Sequence, residues 1–120
     1  MSFVNFSNHP SCHWCCKQIS AAEKWGAIKD VQFPNVNPES TREEILELAQ
    51  KCVEDIMKHH PLAVMCQGEF TLAYMVIDLL KVQGITVVAA CSQRVTTETY
   101  VNEKETRKST IFEFVQFREY

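Results

Sequence analysis

Three short polar segments of this chain carry the residue types that can hold a phosphate or move a proton. The first is Asn8-His9-Pro10-Ser11, directly after the apolar run Phe3-Val4-Asn5-Phe6. It offers an amide, an imidazole and a hydroxyl beside an expected helix start, where free backbone N–H groups favour anions. An imidazole in such a turn can donate to a phosphate or move a proton, which makes His9 a candidate proton carrier. The second segment is Gly68-Glu69-Phe70-Thr71. Glycine lets a backbone approach a ligand closely, and Thr71 can place a hydroxyl at a helix start. Glu69 reads in two ways, as a first-turn carboxylate stabilised by the helix dipole or as an acid/base group. The third segment is Ser92-Gln93-Arg94. Its guanidinium can grip a phosphate in fork geometry or simply bridge to Glu98. The candidate site is therefore His9 and Glu69 as catalytic groups, with Asn8, Ser11, Gly68, Thr71, Ser92 and Arg94 as ligand-binding groups.

The elements around these segments explain why they would meet. Residues 2–6 read as a strand, and a helix follows from Pro10 or Ser11 to Gly26, proline suiting a first helical turn. Residues 27–33 form a second strand. Ser40-Thr41-Arg42-Glu43 has capping-box spacing, and Ile45, Leu48, Ala49, Cys52, Ile56 and Met57 then keep a helical period. Residues 62–66 are a short, wholly apolar strand of the kind that is covered on both faces. Residues 72–82 read as a helix apolar almost all round and so largely buried, and 85–91 as a central β-branched strand. Two β-rich runs, 95–101 and 110–117, flank the polar stretch 102–108 as a hairpin with a solvated tip. Within the second run the alternation slips at Phe114-Val115, as a bulge requires. The expectation is one domain, residues 1–120, of the α/β class. It is a Rossmann-like three-layer fold with a mostly parallel sheet of four strands (β-α-β-α-β-α-β) and a C-terminal hairpin. Ligand loops of such sheets lie at the carboxyl ends of the strands, and there the segments after residues 6, 66 and 91 should converge.

Composition narrows the classes of function. A chain of 120 residues can build its own core. Its net charge of −3 argues against coating long DNA or RNA. The apolar runs are too short to span a bilayer, so no membrane association is expected, and no signal peptide opens the chain. Of the six cysteines, Cys66 and Cys91 end apolar runs and Cys52 sits on an apolar helix face. Cysteine there acts as a small hydrophobe, and the reading is a reduced, cytoplasmic protein. The cluster His9-x-x-Cys12-His13-x-Cys15-Cys16 has zinc-ligand types. On a helix, though, Cys12, Cys15 and Cys16 share a face that His13 does not, and no second ligand pair follows. No metal or cofactor is expected. Trp14, Trp25, Phe112, Phe114 and Phe117 can stack on bases, but a small sheet needs bulky cover, which favours core or dimer contact.

Several of these pieces together resemble a known group. Asn8-His9-Pro10-Ser11 with Trp14 and Gln18, Phe33-Pro34-x-Val36, Gly68-Glu69-x-Thr71 and the ending Phe112-x-Phe114-Val115-x-Phe117-Arg118-Glu119-Tyr120 are similar to small stand-alone CRISPR-associated proteins of bacteria. The resemblance spans nearly the whole chain and implies kinship with the Rossmann-like sensor domains of type III CRISPR systems. Those domains bind cyclic oligoadenylate messengers, and some are ring nucleases. The implied function is antiviral defence by binding or degrading a cyclic oligoadenylate, without metal, in a homodimer whose two-fold axis matches the ligand. His9 would then assist proton transfer and Glu69 would orient the ribose 2′-hydroxyl, while Ser11, Thr71, Arg94 and the backbone near Gly68 hold phosphates. Two other readings stand beside it: a non-catalytic nucleotide-binding or regulatory module of the same pathway, and a metal-dependent hydrolase using the cysteine–histidine cluster.

Overall fold

The computed structural model describes residues 1–102 and 105–120. Its centre is β1 (Ser2–Ser7), every residue of which is buried. β1 runs parallel to β2 (Ala27–Gln32) on one side and to β3 (Pro61–Cys66) on the other. β4 (Thr86–Asn102) lies parallel to β3, and β5 (Glu105–Glu119) is antiparallel to β4. The sheet order is β2-β1-β3-β4-β5. Three α-helices accompany it among the described residues: α1 (Cys16–Glu23), α2 (Arg42–Met57) and α3 (Phe70–Val82).

Strand side chains alternate between faces, and β1 shows how both faces are filled. Val4 and Phe6 join Ile45, Ala49, Leu72 and Val76 in a core under α2 and α3. Phe3 points the other way, into a smaller core with Ala22 of α1, Met65 and Val88. There its ring lies 5.5 Å from that of Trp25 and 5.1 Å from that of Phe117. The result is three layers, with α1 on one face and α2 with α3 on the other. Gly26 makes the turn between α1 and β2 at φ 141°. A Cβ at that position would lie 2.6 Å from the Met1 carbonyl oxygen, so glycine is what lets β2 come alongside β1.

Four expectations are corrected in detail. The sheet has five strands rather than four plus a separate hairpin, because β4 runs on for 17 residues and itself forms the first arm of that hairpin. Ser92-Gln93-Arg94 holds no glycine or proline to interrupt the β-rich run, and β5 pairs with it throughout. The first helix does not begin at Pro10 or Ser11. A 3-10 turn, Ser11–His13, comes first, and extended Trp14 then separates it from α1. Trp14 turns its ring onto Phe3 and Phe117, at 6.3 and 6.2 Å, which breaks the helical path. The capping box of α2 is Thr41 with Glu44, one residue later than expected, closed by two 3.2 Å bonds. Finally, α3 is not buried all round. Leu72, Ala73, Val76 and Leu80 are buried, yet Phe70 and Tyr74 face solvent, because the next element after β4 is β5 and no helix among the described residues covers that side.

The bulge falls where the alternation slips. Cys91 pairs with Gln116 and Ser92 with Phe114, so Val115 is the extra residue and Phe114 and Phe117 share one face. Of the stretch 102–108 read as the hairpin tip, residues 105–108 belong to β5, while 103 and 104 lie outside the described residues. No helix among the described residues is long and apolar enough to cross a membrane.

Candidate functional site

The chain steps from β1 to β2, then returns to place β3 on the opposite side of β1. Such a reversal leaves a crevice at the carboxyl ends of the two central strands, where ligands bind in open α/β sheets. Backbone bonds stitch this rim together. Phe33 N–H donates to the Ser7 carbonyl and Gln67 N–H to that of Phe6, each at 3.2 Å. The Gln67 side-chain oxygen accepts from Ala90 N–H at 2.9 Å and so ties in β4.

Below the loop after β1 lies a buried amide. Asn5, 1% exposed, donates through Nδ2 to the His9 carbonyl at 2.8 Å and to Asp30 Oδ1 at 3.0 Å. Its Oδ1 accepts from Ser7 Oγ at 2.7 Å. A buried amide must satisfy both ends, and here doing so fixes the loop. Ser11 completes the cluster, its N–H 3.3 Å from both Asp30 oxygens and its hydroxyl 3.1 Å from Oδ2. The Ser11 donors expected to hold a phosphate are thus bonded to the chain's own carboxylate. Asn8 and His9 are exposed on top of this platform, His9 held by its backbone. Sequence reading missed Asn5 and Asp30. The signal was a polar residue inside the apolar first strand, facing a carboxylate at the same register of its neighbour.

The second loop repeats this self-occupation. Glu69 is the N-cap of α3 and accepts from Thr71 N–H at 3.1 Å, Leu72 N–H at 2.9 Å and the Thr71 hydroxyl at 2.7 Å. The Thr71 hydroxyl, then the Leu72 N–H, hold the Glu69 carboxyl below its ordinary range. Thr71 therefore spends its hydroxyl on Glu69. A depressed carboxylate stabilises the fold above its unfolded pKa, and that contribution disappears as pH falls through the folded value. Glu69→Ala is accordingly expected to cost about 1 kcal/mol near neutral pH. In urea titrations the gap to wild type should begin to narrow below about pH 4, the range of a free glutamate, and close as the pH falls on through the lower folded value; a gap unchanged at acid pH would refute the cap.

Gly68 serves packing. An added Cβ would lie 2.5 Å from the Phe33 ring, which is 1% exposed and covers the crevice from the α2 side. Gly68 lines a groove of about 740 Å³ between α3 and Tyr120, and Thr71 a second of about 600 Å³ between α2 and α3. His9 and Arg94 line neither groove. Ser92 and Arg94 are not loop residues, as the unbroken β4 ladder shows. They lie within it opposite Phe114 and Phe112, on the face that carries α1 and Trp14. The candidate residues thus form two groups. Asn8, His9 and Ser11 share a face with Ser92 and Arg94, and Gly68, Glu69 and Thr71 head α3 on the other.

All six cysteines are free thiols, with Cys52 and Cys66 buried and Cys12, Cys15 and Cys16 exposed. Burial pushes the Cys66 thiol up to about 12, so it packs as an inert hydrophobe. Among the described residues, no group of three or more His, Cys, Asp or Glu side chains is placed to hold a metal ion. Residues 1–118 match the model of the Uncharacterized protein MJ1673 family. No curated protein and no solved structure matches the chain.

Proposed function

The chain belongs to the uncharacterized MJ1673 family, and on that premise we propose that it binds a cyclic oligoadenylate messenger without cleaving it, as a module of CRISPR-associated defence in the cytoplasm. The resemblance of its motifs supplies the ligand class, and the sheet is read as Rossmann-like. One observation carries the choice of binding over chemistry: both carboxylates at the rim are engaged in holding the backbone. Glu69 accepts three bonds from the first turn of α3, and Asp30 accepts from Asn5 and Ser11. A base that activates a 2′-hydroxyl must be within reach of it and able to take its proton. Glu69, held below its ordinary range and already accepting three bonds, suits that task poorly. What is exposed on the α1 side is a set of recognition groups: the Asn8 amide and the His9 imidazole on a loop anchored by Asn5, and the Arg94 guanidinium on β4. The two loop groups are held by their backbone, and such fixed donors favour binding because little ordering of them remains to be done. A homodimer would offer two copies of this set to a two-fold symmetric ring.

Incubating purified protein with labelled cyclic tetra-adenylate tests this reading. The expected result is a bound, intact ring. Linear products formed in EDTA would favour the ring-nuclease reading, with His9 as its proton carrier, and products that vanish in EDTA would favour the metal-dependent hydrolase. Failure to bind the ring would overturn the proposal. Arg94→Ala is expected to weaken binding by about 10-fold or more, the value of a charged hydrogen bond.

A further inference from the structure

The cysteine-rich segment between β1 and α1 bears chemistry that neither the core nor the proposed binding groups use. Cys12, Cys15 and Cys16 are exposed, whereas Cys52 and Cys66 are buried and Cys91 is half-buried. Cys15 is the N-cap of α1, and its side chain makes no capping bond. Lys17 follows at once, and the sequence holds no carboxylate before Glu23. The Asp30 carboxylate, which β2 brings alongside, is taken up by Asn5 and Ser11. Exposed thiols in positive surroundings are the ones that exchange with disulfides, while buried ones are inert.

Geometry selects the pair. Cys15 and Cys16 are neighbours, with Cα atoms about 3.8 Å apart across a trans peptide, below the roughly 4.4 Å at which disulfides begin. Cys12 and Cys15 instead end a turn. The 3-10 segment Ser11–His13 is followed by extended Trp14, at φ −75° and ψ 149°, where the chain bends. Helical then extended is the dihedral order of a type VIII turn, whose end Cα atoms come within about 7 Å. A disulfide spans up to about 6.8 Å, so a small inward movement of the turn closes the bond. Cys16 follows extended Cys15 and starts α1, one step further from Cys12.

We propose that Cys12 and Cys15 form a reversible dithiol–disulfide site that exchanges with small organic disulfides of the glutathione class. The Cys15 thiolate, its proton released to water, attacks one sulfur of the small disulfide. That S–S bond breaks and one small thiolate leaves. The Cys12 thiolate then attacks the Cys15 sulfur of the mixed disulfide, and the second small thiolate leaves. Two protein thiols have lost two electrons and two protons, and the small disulfide has gained them as two thiols. A bond that draws its turn inward is readily reduced again, as transient intracellular disulfides are. Trp14 sits inside this turn with its ring 6.3 Å from that of Phe3 and 6.2 Å from that of Phe117. Closing therefore shifts a packed indole.

The site is independent of the nucleotide reading and is tested without nucleotide. The reduced full chain is incubated with glutathione disulfide, quenched with acid, weighed intact and then mapped by peptide. The expected product is lighter by two hydrogens, with Cys12 joined to Cys15 and the other thiols free. Its tryptophan fluorescence should change on closing and return with dithiothreitol. Cys16→Ser should close as readily as wild type. Cys12→Ser and Cys15→Ser should lose closing and stop at a glutathione adduct. Circular dichroism should be unchanged in all three variants, because the three positions are exposed. A wild-type chain that gathers glutathione adducts without losing two hydrogens would overturn the proposal. So would closing that survives Cys12→Ser or Cys15→Ser, or that disappears in Cys16→Ser.

Discussion

Alanine at Gly68 is expected to destabilise this protein by about 1–3 kcal/mol, the usual cost of overpacking a core, although Gly68 itself is exposed. The added methyl would sit 2.5 Å from two atoms of the Phe33 ring. That ring has little room to retreat, because it is 1% exposed and lies 4.9 Å from the ring of Phe6. Urea denaturation of a double-mutant cycle with Phe33→Leu provides the check. Leucine leaves space where the ring atoms were, so Gly68→Ala should cost clearly less in that background. Strictly additive losses would mean that the two residues do not compete for the same volume. The coupling also separates packing from ligand binding, since a glycine required by a phosphate would not be relieved by a smaller residue at position 33.

A second large effect is expected from truncating one ring of β5. Phe117 packs against Phe3, Trp14, Trp25 and Phe114, with ring centroids 4.9–6.2 Å apart. Phe117→Ala empties this place and is expected to cost about 3–5 kcal/mol. The denaturation midpoint and the fluorescence of Trp14 and Trp25 report the change. The bulge itself should matter less. Deleting Val115 leaves Phe114 and Phe117 two positions apart, where an unbroken strand also puts them on one face, so the deletion should cost clearly less than Phe117→Ala. Equal losses would show that the bulge, and not the ring contacts, holds β5 against α1.

The bulge was legible because a two-residue period that slips by one has a single cheap remedy. Strands 27–33 and 62–66 were legible for a similar reason: each is a short apolar or alternating run closed by a clear breaker. Where reading failed, the missing information was non-local. Ser92-Gln93-Arg94 resembles a loop by composition, and only its partners across the ladder make it a strand. Asp30 looks like an ordinary surface carboxylate until β2 is set beside β1 and Asn5 falls opposite it. Glu69 reads from sequence as a cap or as an acid/base group, and spacing alone cannot show that Thr71 and Leu72 both turn to it. The open side of α3 was hidden because the helix is apolar almost all round, and what covers a helix is decided by the next element. That element is a hairpin here.

The long pair formed by β4 and β5 has a consequence for how a ligand would be gripped. From Ser92 outward, each strand finds its backbone partners in the other, and nearly every described side chain up to Glu113 is exposed. An isolated two-stranded ribbon is marginally stable in water. Amides there should open to solvent exchange at far lower free energy than those of β1, whose release requires global unfolding. Arg94 rides on this soft part, whereas His9 is bolted to the stiffest strand of the molecule. A ligand that touches both must quiet the ribbon, so its affinity will carry an entropic penalty that stiffening mutations in the arm could lower.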